Sequence, residues 1–283
     1  MRNNEDRTRA VAGGASPPVQ QVQQTEQPLQ FVTPTEFVEL PSKGKYYPES
    51  HPLHNQDTIE IRHMTAKDED ILTSAALLKK GIAIERFLQN IVVDKRIKVS
   101  DLLIGDKNAV VIASRITGYG AEYQTSVTCP SCGANVENSF DLGACEVNEA
   151  PDYSELGVTP TIDGTFMVRL DSMNINVEVK LLTGRDETIL SQLSERRRKK
   201  KLPETPLTDQ MRQLIVSVDG NDNPEYISSF IEHMPARVSR KLRTIYSKIV
   251  PNINMNQYFV CDNCGHEGEV GVPFGANFFW PKQ

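Results

Sequence analysis

The sequence predicts an α+β protein: a mainly helical N-terminal region, then a four-cysteine ribbon of two β-hairpin knuckles, interrupted by an inserted α+β subdomain. Three observations predict it. Cys-x-x-Cys-Gly occurs twice, at Cys129–Gly133 and Cys261–Gly265, each time flanked by segments that read as strands. Apolar residues recur at helical spacing between Thr65 and Thr117 and again between Thr183 and Ile249. The stretch between the cysteine pairs carries a hairpin pattern of its own, Phe166–Leu170 with Ile175–Leu181.

A chain of 283 residues with 39% hydrophobic and 24% charged residues has the composition of an ordinary soluble protein that buries a core, with two domains as the prior. No apolar run approaches the roughly 20 residues a membrane helix needs. The opening Met1-Arg-Asn-Asn-Glu-Asp-Arg7 predicts no signal peptide, hence a cytosolic protein with reduced thiols. A net charge of −6 gives no general attraction to nucleic acid. The local exception is Arg196-Arg-Arg-Lys-Lys-Lys201, either a solvated helix end favoured by the dipole or a docking patch for an acidic partner or nucleic acid.

Residues 1–30, rich in Gln with Pro and a Gly-Gly pair, bury too little to offset ordering and read as a disordered tail. An N-terminal α+β domain follows over 31–120. Phe37–Pro48 runs from an extended piece into a turn, and Thr58–Met64 alternates as a half-buried strand. Thr65 with Asp68 is a capping pair that opens a helix through Ile71, Leu72, Ala75 and Leu78, stopped at Gly81. Ile82–Val93 is a second helix with Ile84, Phe87, Leu88 and Ile91 on one face. Ser100 and Asp101 mark another start. Ala109–Thr117 is a third helix or a buried strand, ended by Gly118 and Gly120.

The first knuckle hairpin covers 121–143, with strands Glu122–Thr128 and Val136–Asp141. The inserted subdomain, 144–255, opens with a polar linker to Pro160 and continues with the hairpin at Phe166–Leu181. Thr183 and Asp186 cap a helix from Gly184 to Lys200, and Thr208 and Asp209 open one with Met211, Leu214 and Ile215 inward. Ile227–Met234 is short, and Pro235 starts a helix with Val238, Leu242, Ile245 and Ile249 on one face. The second knuckle hairpin and an aromatic tail occupy 256–283. Apart from the two cysteine hairpins, the sequence shows no internal repeat.

The chemistry is in the cysteines. A two-residue spacing lets a tight knuckle aim both sulfurs at one ion, and the following glycine takes the left-handed angle that closes it. One knuckle supplies half a tetrahedral site, and the second supplies the rest. Cys129, Cys132, Cys261 and Cys264 are therefore expected to hold one structural Zn²⁺. Closing a loop of roughly 130 residues costs about 4 kcal/mol, against about 10–16 kcal/mol from structural zinc. A redox dithiol needs its pair at a helix N-terminus, which this pattern does not offer. Four thiolates leave no open position for catalysis. Cys145 and His266 read as bystanders, and Asp68, Glu69 and Asp70 as first-turn acids answering the helix dipole. No phosphate loop, His-Glu-x-x-His or Gly-x-Ser-x-Gly occurs, so no enzyme is expected. Phe278, Phe279 and Trp280 read as folded back over the chain, as a partner anchor, or as both at once, with Arg196, Arg197 and Arg198 as the second candidate contact.

Several long motifs resemble those of the baseplate hub proteins of T-even-like tailed phages. They are Phe37-Val-Glu-Leu-Pro-Ser-Lys-Gly-Lys-Tyr-Tyr47, Met64-Thr-Ala-Lys-Asp-Glu-Asp-Ile-Leu72, Val93–Lys98, Leu103–Asn108 and Arg115–Gly120. The second knuckle with its Phe-Phe-Trp-Pro ending is also similar. The resemblance implies a hub subunit or hub assembly chaperone, acting in the host cytoplasm while a contractile tail is built, or retained in the virion baseplate. It implies other hub or wedge proteins as partners, with no membrane. A nucleic-acid-binding zinc ribbon is the rival from another class, and the acidic balance and acidic or neutral knuckles speak against it.

Overall fold

Two stretches of the chain start in the same way: an antiparallel strand pair, a threonine-capped helix and a nine-residue helix, with one extra short helix before the last in the earlier stretch. The computed structural model describes residues 33–148, 150–273 and 278–279. The expected disordered tail at 1–30, and Trp280 with the end of the aromatic tail, lie outside the described residues.

In the first stretch β1 (Thr35–Glu39) pairs antiparallel with β2 (Thr58–Arg62), placing Val38 opposite Ile59. Helix α1 (Ala66–Thr73) opens on the expected capping box at Thr65 and Asp68. It does not run on to Gly81. Ser74 is extended (φ −62°, ψ 108°), and α2 (Ala75–Lys79) restarts beyond it. The Thr73 hydroxyl binds the Glu69 carbonyl, the local side-chain competition that weakens a helix end. Helix α3 (Ala83–Ile91) buries Phe87, Leu88 and Ile91, but Ile84 is exposed, contrary to its expected place on the inner face. Val92 then bridges back to Ile61.

Ser100 and Asp101 lie in a single 3₁₀ turn, Val99–Asp101, rather than opening the long helix. Helix α4 (Ile104–Tyr119) begins after it, one turn earlier than periodicity suggested, and is no strand. Its first turn is fixed by tertiary contacts. Buried Asp106 accepts hydrogen bonds from the Ser42 amide (2.9 Å), the Ser42 hydroxyl (2.6 Å) and the Tyr47 hydroxyl (2.7 Å). The Tyr47 oxygen in turn accepts from the Leu103 amide at 3.0 Å. Here the Leu-Pro-Ser-Lys-Gly-Lys-Tyr-Tyr stretch acts as a clasp on the start of α4. Gly44 (φ +68°) closes that clasp, because a Cβ there would sit 2.3 Å from the Leu53 carbonyl oxygen.

The second stretch pairs β6 (Phe166–Leu170) with β7 (Ile175–Val179). Helix α5 (Gly184–Lys199) opens on its expected capping box, Thr183 with Asp186. Helix α6 (Pro206–Leu214) starts at Thr205 and Pro206 rather than at Thr208: the Thr205 hydroxyl binds Asp209 and proline occupies the first turn. Ile215 leaves the helix and begins β8 (Ile215–Val218), a strand too short to be told from a helix end by periodicity. The linker expected before Pro160 contains β5 (Val158–Pro160), which gives a four-stranded antiparallel sheet, β5-β6-β7-β8. Proline is tolerated there because β5 is an edge strand. Helix α7 (Pro224–His233) starts one turn before its expected position, on an Asn223 cap, and α8 (Ala236–Ile249) buries Val238, Leu242, Ile245 and Ile249 as expected.

The repeat is wider than the two cysteine hairpins. Ile59-Glu-Ile-Arg-His-Met-Thr-Ala-Lys-Asp-Glu-Asp-Ile-Leu72 matches Val177-Glu-Val-Lys-Leu-Leu-Thr-Gly-Arg-Asp-Glu-Thr-Ile-Leu190 position by position. Arg62 binds Asp68 at 2.7 Å where Lys180 binds Asp186 at 2.7 Å. Helices α3 and α6 are both nine residues long, and the segment after each pairs with the preceding strand, Val92 with Ile61 and Ile215 with Val179. The N-caps of α4 and α8 share one backbone shape, φ −58° and ψ 145° at Leu103 against φ −58° and ψ 139° at Pro235. Each long helix then leads to a cysteine hairpin. Apolar residues of both stretches join one continuous core. Among the described residues no helix is long and apolar enough to cross a membrane.

Candidate metal centre

The first cysteine hairpin is β3 (Glu122–Thr128) with β4 (Asn135–Asp141), and the second is β9 (Asn256–Val260) with β10 (Glu267–Gly271). They are separate two-stranded sheets. The tips are built alike. The Cys129 amide donates to the Ala134 carbonyl (2.8 Å) and Gly133 donates back to Cys129 (3.0 Å). In the second tip Cys261 donates to His266 (2.9 Å) and Gly265 donates to Cys261 (2.8 Å). Gly133 and Gly265 both sit at positive φ, 71° and 68°, as the knuckle requires.

This local geometry brings together all four predicted cysteines. Their sulfurs lie within 4.8 Å of one another, with Cys129 Sγ 3.8 Å from Cys264 Sγ and Cys132 Sγ 3.8 Å from Cys261 Sγ. Metal–sulfur bonds of about 2.3 Å in a tetrahedron put neighbouring sulfurs about 3.8 Å apart, whereas a disulfide needs about 2.05 Å. The arrangement therefore fits one ion and no disulfide. Cys129 and Cys261 are buried and Cys132 and Cys264 face outward, so each knuckle gives one inner and one outer ligand.

Charge tells the same story. The Ala134 amide and then the Asn263 carboxamide, 3.6 Å from the sulfur, hold the Cys132 thiol down to about 6. At Cys264 the His266 amide works downward, but desolvation and the crowding thiols outweigh it and push the group up to about 12. Four thiolates this close repel one another, and a cation removes the conflict.

Outside the tips, the two hairpins are held by Gln257. Its side chain accepts from the Asp141 amide (3.1 Å) and donates to the Asp141 carbonyl (2.6 Å). The same amide nitrogen lies 3.4 Å from Cys145 Sγ. Cys145 stands apart from the four-sulfur cluster, its thiol pushed up by burial. His266 contributes its backbone, and the cluster contains cysteine only. Where the cysteine hairpins enclose the intervening stretch, its ends are paired: Val147 bridges Ile253, and Asn148 donates to Asn252 at 2.8 Å. Gly105 at the start of α4 lies so close to this exit that a Cβ would meet the Pro251 oxygen at 1.9 Å.

The foot of the ribbon is keyed to the helices by residues that sequence reasoning placed incompletely. Phe278 and Phe279 are 3% and 1% exposed. Phe278 packs edge-on against Tyr123 (centroids 5.1 Å apart) and Phe279 against Phe87 (5.3 Å). These two rings fill the chain's own core, which is the folded-back arrangement. Arg115, 1% exposed, was not foreseen. Its guanidinium donates to the carbonyls of Phe278 (2.8 Å), Gly120 (2.7 Å) and Glu122 (3.2 Å) and lies over the rings of Tyr119 and Tyr123. One buried cation thus ties α4, β3 and the C-terminal segment together. The sequence signal was an arginine inside the apolar face of a helix, where only a buried partner set would keep it.

Arg196, Arg197 and Arg198 lie on the last turn of α5, on a different element from the ribbon. Arg197 pairs with Asp209 at 3.3 Å, while Arg196 and Arg198 are exposed. Asp68 is wholly buried. Burial works to raise it, but Arg62, Thr65 and Asn90 outweigh that and hold it at about 2. It is committed to structure.

No curated protein and no solved structure matches the chain. A family model described as T4 bacteriophage base plate protein matches residues 33–280, nearly the whole chain and both cysteine hairpins. The chain belongs to the T4 bacteriophage base plate protein family.

Proposed function

We propose that this protein is a non-enzymatic assembly factor for the hub of a contractile-tail baseplate, chaperone-like, acting in the host cytoplasm through protein–protein contacts. The family membership carries the reading, because a baseplate is built by protein association. A wholly cysteine, closed, tetrahedral site supports a structural ion, and zinc is the divalent ion such sites select. With four thiolate ligands no position is left for a substrate or water. The ion's role is to join two hairpins whose sheets share no strand pairing.

The partners in this reading are hub or wedge proteins of the same phage. Mass spectrometry of mature particles tests it. Absence of the chain from finished virions, with recovery on a hub component from infected cells, is the expected result. Stoichiometric presence in virions would instead make it a permanent subunit of the baseplate.

A further inference from the structure

Strands β1 and β6 occupy matching places, and their approach sequences match as well. Val32-Thr-Pro-Thr35 leads straight into Glu36-Phe-Val-Glu-Leu40. Val158-Thr-Pro-Thr161 leads to Phe166-Met-Val-Arg-Leu170 through an additional Ile162-Asp-Gly-Thr165. Val38 and Val168, and likewise Leu40 and Leu170, are buried at corresponding registers.

The additional residues decide what happens at the strand's second edge. In the later copy they form a turn, with Thr161 donating to Thr165 (2.9 Å) and Gly164 at φ +77°. The chain doubles back, Val158-Thr-Pro becomes β5, and the outer edge of β6 is filled, with Val158 buried. In the earlier copy the turn is missing. Pro34 stays in line with β1, its carbonyl accepting from the His63 amide at 2.8 Å. Among the described residues, β1 has β2 as its sheet neighbour and nothing on the other side.

That edge is chemically specific. Leu40 donates to Asp57 and Pro34 accepts from His63, so even-numbered residues of β1 bond toward β2. By alternation the amides and carbonyls of Thr35, Phe37 and Glu39 face the open edge. Beside it lies a groove of about 450 Å³ lined by Val38, Ile112, Ala113, Ile116, Val147 and Ile253, with Glu39 and Glu146 also on its wall. Phe37 is 70% exposed on the strand's outer face. Glu36 Oε1 is buried with no hydrogen-bond partner among the described residues.

We propose that the open edge of β1 is a strand-addition site for an extended segment of a partner protein, placing a β-branched apolar side chain in the groove and basic residues near Glu39 and Glu146. Such docking takes its affinity from main-chain hydrogen bonds and its specificity from alternate side chains. The second copy shows what the site accepts, since it holds its own Val158 strand there. The chain's own N-terminal residues are the weaker occupant, because those adjoining β1 continue its line instead of doubling back. That the partner is another baseplate protein rests on the proposed function; that the edge takes a strand does not.

The test uses the full chain, labelled for amide NMR, and a synthetic peptide of its own Leu156–Thr161 sequence. Without peptide, the Phe37 and Glu39 amides should exchange roughly a hundredfold faster than those of Met167 and Arg169. Peptide should shift Thr35, Phe37 and Glu39 and slow their exchange. Phe37→Pro removes one open-edge amide without touching a β1–β2 hydrogen bond, and should abolish the shifts while metal content stays intact. Equally slow exchange in the free chain would overturn the proposal, because the edge would already be filled. So would fast exchange appearing only after removal of residues 1–30, peptide shifts elsewhere, or no shifts at millimolar peptide. The exchange and peptide-shift readings on the wild-type chain decide the proposal even where Phe37→Pro fails to fold, because proline also fixes the backbone at residue 37 and restricts Glu36 before it.

Discussion

The earlier and later copies of the strand–helix–knuckle plan use the same devices at different depths. Asp68 and Asp186 close equivalent capping boxes, but Asp68 pairs with an Arg62 side chain 24% exposed, whereas the Lys180 partner of Asp186 is 39% exposed. The earlier copy also buries Asp106 and Arg115 within α4. Counted from their N-caps, the α8 residue that corresponds to Arg115 is Ser247, which is exposed. Each copy buries two carboxylates, Asp68 and Asp106 in the earlier and Asp186 and Asp209 in the later, but the buried guanidinium of Arg115 belongs to the copy that receives the Leu40–Tyr47 clasp and the C-terminal aromatic rings. The later copy relies on an ordinary apolar helix face and an additional edge strand. The earlier copy thus carries the contacts to the C-terminal rings, and the four-cysteine cluster, which could hold one metal ion, joins the endings of the two copies.

The largest effect should come from breaking that coupling. Cys129→Ser, in the earlier copy, and Cys261→Ser, in the later one, should each release the metal and free both knuckles, since structural zinc is worth about 10–16 kcal/mol. Cys145→Ser should do neither. Metal content and hairpin amide exchange of the three variants check this, and equal metal in all three would break the symmetry claimed for the copies.

The next effect sharpens the contrast in burial. Asp68→Ala strands the Arg62 guanidinium and should cost about 3–5 kcal/mol. Asp186→Ala, screened by solvent at Lys180, should cost about 1–2 kcal/mol. Urea denaturation of both measures the difference, and equal costs would show that depth does not distinguish the copies. Arg115→Leu should follow at about 2–4 kcal/mol, because three carbonyls lose their donor. Its loosening should be confined to β3, the end of α4 and the segment around Phe278.

A further test, comparable in size to the loss at Asp186, is the pH response of Asp68. Held at about 2 in the folded chain against an ordinary value near 4, it stabilises fully above about pH 4. That contribution, about 2 kcal/mol, fades as the pH falls toward 2. Subtracting the pH profile of Asp68→Asn from that of the wild type isolates it from proton competition at the cysteines. A difference that stays flat from pH 5 to 2 would sink the assignment.

Much of this was legible in the residues. Both capping boxes follow from Thr-x-x-Asp, and the two cysteine knuckles follow from Cys-x-x-Cys-Gly, because each is a local device completed within a few residues. Arg115 was not legible, since its acceptors are main-chain carbonyls, two in the nearby turn into β3 and one, at Phe278, far along the chain. The repeat was hidden by its connections: β1 reaches β2 through the long Leu40–Asp57 connection that contains the clasp, while β6 reaches β7 through a tight turn. The break at Ser74 turned on one extended residue that apolar spacing passes over, and β8 was too short to show a period.

The central claim is that each copy gives one pair of cysteines to a single zinc ion. Native mass spectrometry of the purified full chain tests it most directly, with the same sample denatured for thiol counting. The account predicts one zinc per chain and five reduced thiols after denaturation. A metal-free chain with a disulfide inside either knuckle would contradict it.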